Sequence, residues 1–314
     1  KKQKEREGLA KPSLHQSAKI ITNPQRYEVN TLSRHLLPIL FISILSLTIY
    51  SNTLKNGFVY DDKYTIESNT LIRDSGNLSK LFSKDHYFAL SGEQSYRPVV
   101  TLTYFLDSSL YGVKPWGFHL TNILLHTVNG VLLYIFLALI QQSEIYGNQS
   151  ALCSLFSNKP FLTSILFAAH PVLTEAVNAV SFREDLLAFL FYMATLCLYI
   201  FSARSNHKSV SYKLYYVTSY LTFCLALLSK EMAITLPLII FCYEYFFSTK
   251  KGKDLYAILY SRPFTGYLFV TIGYLYLRFF LFQNQYEVIR AWAFWNRFCT
   301  VPYLIMKYLY LMIA

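Results

Sequence analysis

The chain has 314 residues, of which 54% are hydrophobic and 15% charged, with 27 Tyr, 25 Phe and a formal net charge of +11. That balance excludes an ordinary soluble domain and points to a membrane protein. It also excludes nucleic acid as the partner of the positive charge, because the Lys and Arg sort by membrane side.

Residues 1–35 carry Lys1, Lys2, Lys4, Arg6, Lys11, Lys19, Arg26 and Arg34. They lack a short basic region followed by an apolar stretch and a small-residue cleavage site, so they read as a cytoplasmic N-terminal tail. Apolar runs of the length that crosses a hydrocarbon core then recur about eight times. They fall at residues 36–54, 118–140, 161–180, 185–203, 214–228, 233–247, 264–282 and from Thr300 onward. The expected fold is an all-α integral membrane protein, a polytopic helical bundle over residues 36–314. The chain begins without Met and ends inside its last apolar run, so it is expected to be part of a longer polypeptide.

Counting spans puts Arg204, Lys208 and Lys213, and then Lys250, Lys251, Lys253 and Arg262, on the same side as the tail. The positive-inside rule makes that side cytoplasmic. Cys197, Cys224 and Cys242 lie within runs, Cys153 and Cys299 near run ends, and no spacing resembles a metal site or a disulfide framework.

The unusual polar residues collect on the opposite, exoplasmic side. Asp61 and Asp62 follow the first run in "GFVYDDK"; "HPVLTEAVNAVSFRED" joins the third and fourth; "SKE" joins the fifth and sixth; "NRF" precedes the eighth. Charges at membrane depth are expensive and mark function by default. Carboxylates together with several Arg and Lys suit an acceptor and an anionic ligand.

Each group has a plainer reading beside this one. Asp61 and Asp62 read equally as helix caps or as general-base machinery, a partly desolvated carboxylate beside a like charge having its proton affinity raised. His170 before Pro171 fits a packing histidine at a broken helix. Arg183, Glu184 and Asp185 fit an interfacial cluster snorkelling to water, and Lys230 with Glu231 an adjacent ion pair.

The exoplasmic segment from Lys55 to Val99 holds six basic and six acidic residues. Loops of this length usually carry function. Within it, Leu78, Leu81, Phe82 and Phe88 of "NLSKLFSKDHYFAL" are spaced for an amphipathic helix on the membrane surface. The segment returns to the bilayer at Arg97. The sequon Asn77-Leu78-Ser79 is a common chance match.

The stretches "FVYDD", "SYRPV", "GFHLTNILLHTVN", "AAHPVLTEAVNAVSFREDLLA" and "LLSKEMAITLPL" occur in order between about Phe58 and Phe247. Together they resemble the membrane half of the transmembrane-and-TPR O-mannosyltransferases and their bacterial relatives, which are C-type glycosyltransferases (GT-C). Beyond Tyr260 the resemblance thins to Arg278 and Arg297.

The resemblance implies an enzyme that moves a sugar, mannose in eukaryotic members, from a polyprenyl-phosphate carrier to a Ser or Thr hydroxyl of a protein on the lumenal or periplasmic side. The membrane would be that of the endoplasmic reticulum or the bacterial inner membrane. It implies Asp61 as base, with Asp62 holding the acceptor or tuning its charge. Arg97, His170, Arg183, Lys230 and Arg297 would surround the carrier phosphate and sugar, and Glu175, Glu231 and His119 are acceptor-side or supporting candidates. A monophosphate leaving group held by fixed cations has less need of a metal, so neither metal nor other cofactor is expected. The partners are the lipid-linked donor, the protein acceptor, membrane lipids and a downstream TPR region or partner subunits. Two other classes fit the composition alone: a transporter or flippase, which would place polar residues near span centres, and a non-catalytic membrane scaffold.

Overall fold

In a computed structural model, the structure describes residues 24–141, 158–206, 209–247, 262–282 and 294–313. Side chains are described over residues 35–141, 158–206, 209–246, 264–282 and 300–311. The chain divides into two compact units, residues 1–41 and 42–314, and the site described below lies within the second.

Helix α1 covers Pro24–Ile49 and α2 Pro98–Tyr111, α3 Pro115–Ile140, α4 Lys159–Ala169, α5 Thr174–Asn178, α6 Arg183–Arg204, α7 Val210–Ser229, α8 Leu236–Phe247, α9 Arg262–Tyr276 and α10 Phe294–Ile313. No strand occurs among the described residues. The chain is an all-α polytopic membrane protein. Local sequence sets the helix starts: Pro98 and Pro115 open α2 and α3, where a missing N–H costs nothing. Asn158 and Ser209 cap α4 and α7 through side-chain oxygens that accept from Phe161 and Ser211 amides.

Among the described residues, four helices are long and apolar enough to cross a bilayer: His35–Lys55, Pro115–Ile140, Val180–Arg204 and Phe264–Leu281. A fifth arises if Lys159–Ala169 and Pro171–Asn178, bent by 50° at His170, count as one broken span. This is fewer than the expected eight, although the other three apolar runs are also helical. Helix α7 alternates its apolar residues with Lys213, Thr218, Ser219 and Thr222. Helix α8 has 12 residues, about 18 Å of rise against a core of about 30 Å.

The broken span depends on α3. His119, Asn122, His126 and Asn129 of "GFHLTNILLHTVN" recur at three- and four-residue spacing, which puts them on one face of the helix. All four are buried. Asn122 Nδ2 donates to the carbonyls of Val177 and Ala179 at 3.2 and 3.3 Å, Asn129 Nδ2 to Leu186 at 2.9 Å, and His126 Nε2 lies 3.1 Å from the Ala168 carbonyl. A polar stripe on an apolar helix thus ties α3 to backbone carbonyls on both sides of the bend at His170 and in the first turn of α6.

The long loop after α1 folds against the helices. Residues 77–90 form a 3₁₀ helix, Ser75–Phe82, and a separate helical turn, Tyr87–Ser91, in place of one continuous amphipathic helix. Asp74 caps the first by accepting from the Gly76 amide at 2.9 Å, and Gly92, at φ 69°, ends the second in the left-handed conformation that glycine tolerates. Leu81, Tyr87 and Leu90 bury into one cluster with Ile66, Ile72 and Tyr96 and with Val100, Tyr104, Phe118 and Val180 of the bundle. Leu78 and Phe82 remain exposed. Burying about ten large side chains at roughly 1.5–3 kcal/mol each holds this loop against the ends of the helices.

Candidate active site

The two adjacent aspartates face different surroundings. Asp62 is fully buried, and its carboxylate accepts from the amides of Val59 at 3.1 Å, Val180 at 3.3 Å and Ser181 at 2.6 Å. It clamps the start of the loop to the segment just before α6. Asp61 is exposed, and among the described residues no hydrogen bond reaches its carboxylate; its backbone carbonyl accepts from Tyr64 and Thr65. Neither side chain caps the turn that follows. Tyr60, at φ 48°, is the one positive-φ non-glycine residue among those described. That conformation is strained for a bulky residue, and the Asp62 clamp helps to hold it and so fixes the direction in which Asp61 leaves the backbone.

Asp61 lines a pocket of 430 Å³ together with Glu93, Arg97, Ser181 and Glu184. Behind the pocket runs a chain of ion pairs. Arg97 bonds Glu184 and reaches Glu231 at 3.3 Å, and Lys230 pairs with Glu184 at 3.0 Å and Asp185 at 2.7 Å. Arg278 stands 3.8 Å from Glu231. The residues come from the start of α2, the start of α6, the α7–α8 connection and, for Arg278, the turn Leu277–Leu281 after α9. Glu184, Arg278 and Arg97 have side chains 10%, 13% and 16% exposed, so the network is partly dry and its bonds are charge-assisted.

Burial alone would weaken Arg97's hold on its proton, but Glu184, Glu231 and Glu93 outweigh it and raise the pKa. Lys230 is likewise raised: burial opposes, Asp185 and Glu184 prevail. Glu231 is lowered, because Arg97 and Arg278 overcome the upward push of burial. Glu93 goes the other way. Burial pushes its carboxyl up to about 8, Arg97 opposes, and Glu184, Asp61 and Glu231 add to the rise.

Arg183, His119, His170 and Glu175 lie apart from the pocket lining. Arg183 is fully buried; it pairs with Asp107 at 2.7 Å and donates to Asn122 Oδ1, Thr103 Oγ1 and the Phe118 carbonyl. Its guanidinium also lies over the Tyr104 and Phe118 rings. It thereby joins α2, α3 and α6. His119 is buried on the α3 stripe. His170 is partly exposed at the bend, where its Nδ1 accepts from the Val172 amide at 3.2 Å. Glu175 is exposed in the first turn of α5. The Arg297 side chain lies outside the described residues. Among the described residues no group of three or more His, Cys, Asp or Glu is arranged to hold a metal ion.

Sequence reasoning did not single out Glu93, a lone acid two residues before "SYRPV". It placed Glu184 and Asp185 in an interfacial cluster, although their position one and two residues after Arg183 and the pairing of Lys230 with Glu231 were signals that these charges would meet.

No family profile and no solved structure matches the chain. Curated proteins do. Human protein O-mannosyl-transferase TMTC2 is 30% identical over 239 residues, 74% of this chain. Drosophila melanogaster protein O-mannosyl-transferase Tmtc3 is 32% identical over 255 residues, 75% of this chain. A Caenorhabditis elegans protein O-mannosyl-transferase is 33% identical over 207 residues, 64% of this chain. The chain belongs to the TMTC family. The alignments with these TMTC proteins cover 27% of each relative's length, so the chain spans about a quarter of the curated relatives it matches.

Proposed function

We propose that this TMTC chain is the catalytic membrane portion of a protein O-mannosyltransferase that takes mannose from a polyprenyl-phosphate carrier and transfers it to a Ser or Thr hydroxyl on the exoplasmic side. The names of the TMTC relatives support the reaction class. The observation that carries the reading at the level of chemistry is an exposed carboxylate, Asp61, sharing one pocket with the partly buried cation Arg97.

In this reading the acceptor oxygen forms a bond to the anomeric carbon while the bond from that carbon to the carrier phosphate breaks. The acceptor's proton passes to Asp61, and the phosphate leaves with the bonding electron pair. Arg97, which lines the pocket and keeps its Nε without a partner among the described residues, is the proposed cation that offsets the charge growing on the leaving phosphate, with Lys230 behind it in the ion chain. Asp62 and Arg183 belong to the frame that sets the geometry, since their hydrogen-bonding groups are engaged within the protein. The resemblance in the loop and in "LLSKE" supports a lipid-linked donor, and the basic cytoplasmic segments support an exoplasmic site.

The test is transfer from radiolabelled polyprenyl-phosphate mannose to a panel of Ser- and Thr-containing peptides by the full-length protein in nanodiscs. Label in peptide, lost in Asp61→Asn with donor binding retained, is the expected result. Movement of the lipid-linked sugar across the bilayer of sealed proteoliposomes, without label in any peptide, would favour a transporter instead.

A further inference from the structure

Glu93 has no part in the reaction just described. It follows the left-handed Gly92, its amide donates to Ser91 Oγ at 3.2 Å, and its side chain lines the pocket with Asp61, Arg97 and Glu184. Its Oε2 is buried and meets no hydrogen-bond partner among the described residues. The charged groups around it come from four segments: Asp61 from the loop, Arg97 from the start of α2, Glu184 from the start of α6 and Glu231 from the α7–α8 connection. The phenols of Tyr87 and Tyr104 also feel its charge.

Arg97, the one cation in this set, already bonds Glu184 and Glu231. An ionised Glu93 would be a further carboxylate sharing one guanidinium, and it would repel an anionic ligand entering the pocket. A neutral carboxyl removes both penalties and presents one O–H donor.

We propose that Glu93 is a positioning residue of the donor site that acts in its protonated form, donating a hydrogen bond from its partly buried carboxyl to an oxygen of the lipid-linked sugar phosphate. The inference rests on the donor reading above. Donor and proton then bind together, because the phosphate adds one more negative charge beside Glu93.

The experiment uses the full-length protein in nanodiscs and a short-chain polyprenyl phosphomannose, a phosphodiester whose single negative charge is constant from about pH 6 to 9. With Glu93 titrating at about 8, the probe's dissociation constant in wild type is expected to rise about tenfold between pH 7 and 9, as the competent fraction falls. Glu93→Gln keeps a neutral donor and is expected to bind with a flat profile, within about twofold. Infrared difference spectra of ligand-free wild type against Glu93→Gln are expected to show a protonated carboxyl C=O stretch near neutral pH that fades in alkali. Absence of that band, or the same pH profile in wild type and Glu93→Gln, overturns the proposal. A band with pH-independent binding of the probe also overturns it while leaving the donor reading standing. A band with no probe binding at any pH overturns the donor reading and the Glu93 contact together.

Discussion

Asp62 Oδ1 accepts from the Ser181 amide at 2.6 Å, joining residues 119 apart in the chain. The neighbouring Asp61 carboxylate faces the pocket. One dipeptide therefore supplies both a fixed point and an exposed functional group, and the two roles separate by experiment. Asp62→Asn puts an NH₂ group among three amide donors and is expected to lower stability by about 1–3 kcal/mol. Asp61→Asn is expected to leave the unfolding temperature within a degree or two and to reduce transfer on the order of a hundred-fold. Thermal unfolding and transfer rate, measured on both variants, check the assignment; stability loss in Asp61→Asn with unchanged transfer reverses it.

Arg183 makes a second, independent test of the frame. Its pair with Asp107 and its bonds to Asn122, Thr103 and Phe118 use the fork of a guanidinium, which a lysine ammonium does not reproduce. Arg183→Gln leaves Asp107 buried without its counter-charge and is expected to cost about 3–5 kcal/mol. Arg183→Gln with Asp107→Asn is expected to recover part of that loss in a double-mutant cycle read by unfolding. Strict additivity of the two changes would show that the pair does not couple.

The ion chain gives stability a defined pH window. Glu231 is lowered in the folded state, so its contribution is present above the ordinary carboxylate value of 4.5 and is lost as pH falls through the lowered value. Lys230 is raised, so its contribution is fully present below 10.5 and is lost as pH rises through the raised value. Glu93 acts in the opposite sense to Glu231: between 4.5 and about 8 it keeps a proton that the unfolded chain has released, so stability falls with rising pH across that range. Unfolding temperatures followed over this range are expected to show a shallower alkaline decline in Glu93→Gln than in wild type, and Glu231→Gln is expected to lack the acid-side loss.

The sequon at Asn77 is expected to be unmodified. Asn77 is 9% exposed; its Nδ2 donates to the Leu71 carbonyl at 2.9 Å and its Oδ1 accepts from Lys80 Nζ at 2.7 Å. A glycan on that nitrogen would open the loop core. Peptide mass spectrometry of the protein from eukaryotic cells checks this, and Asn77→Gln is expected to change thermal stability without changing electrophoretic mobility.

How far the sequence could be read depends on how local each cause is. Apolar runs announce helices because the bilayer fixes their length and composition, and counting those runs assigns "FVYDD", "SYRPV" and "LLSKE" to one face, while the meeting of Arg97, Glu231, Lys230 and Glu184 in one ion chain is seen only in the structure. The sequence did not separate Asp61 from Asp62, since the difference lies in two amides of residues 180 and 181 that no local pattern connects to the loop. Arg183 had the same difficulty: a charged residue at a run boundary reads as interfacial, and its burial follows from Asp107, Asn122 and Thr103 on other helices. The loop's apolar spacing suited a membrane-surface helix equally well, and what buries it is Tyr104, Phe118 and Val180 of the bundle.

The stripe on α3 has a consequence for biosynthesis. His126 of α3 meets the Ala168 carbonyl just before the 50° bend, and Asn122 meets the carbonyls of Val177 and Ala179 at the end of the short helix that follows it. Each such group, unsatisfied in hydrocarbon, costs several kcal/mol. The segment from Lys159 to Asn178 is therefore poorly suited to leave the translocon alone, and Pro115–Ile140, which emerges from the ribosome first, serves as the template onto which it is released. Scrambling the polar positions of α3 should thus show itself as misintegration of the following segment during synthesis, before any question of turnover arises.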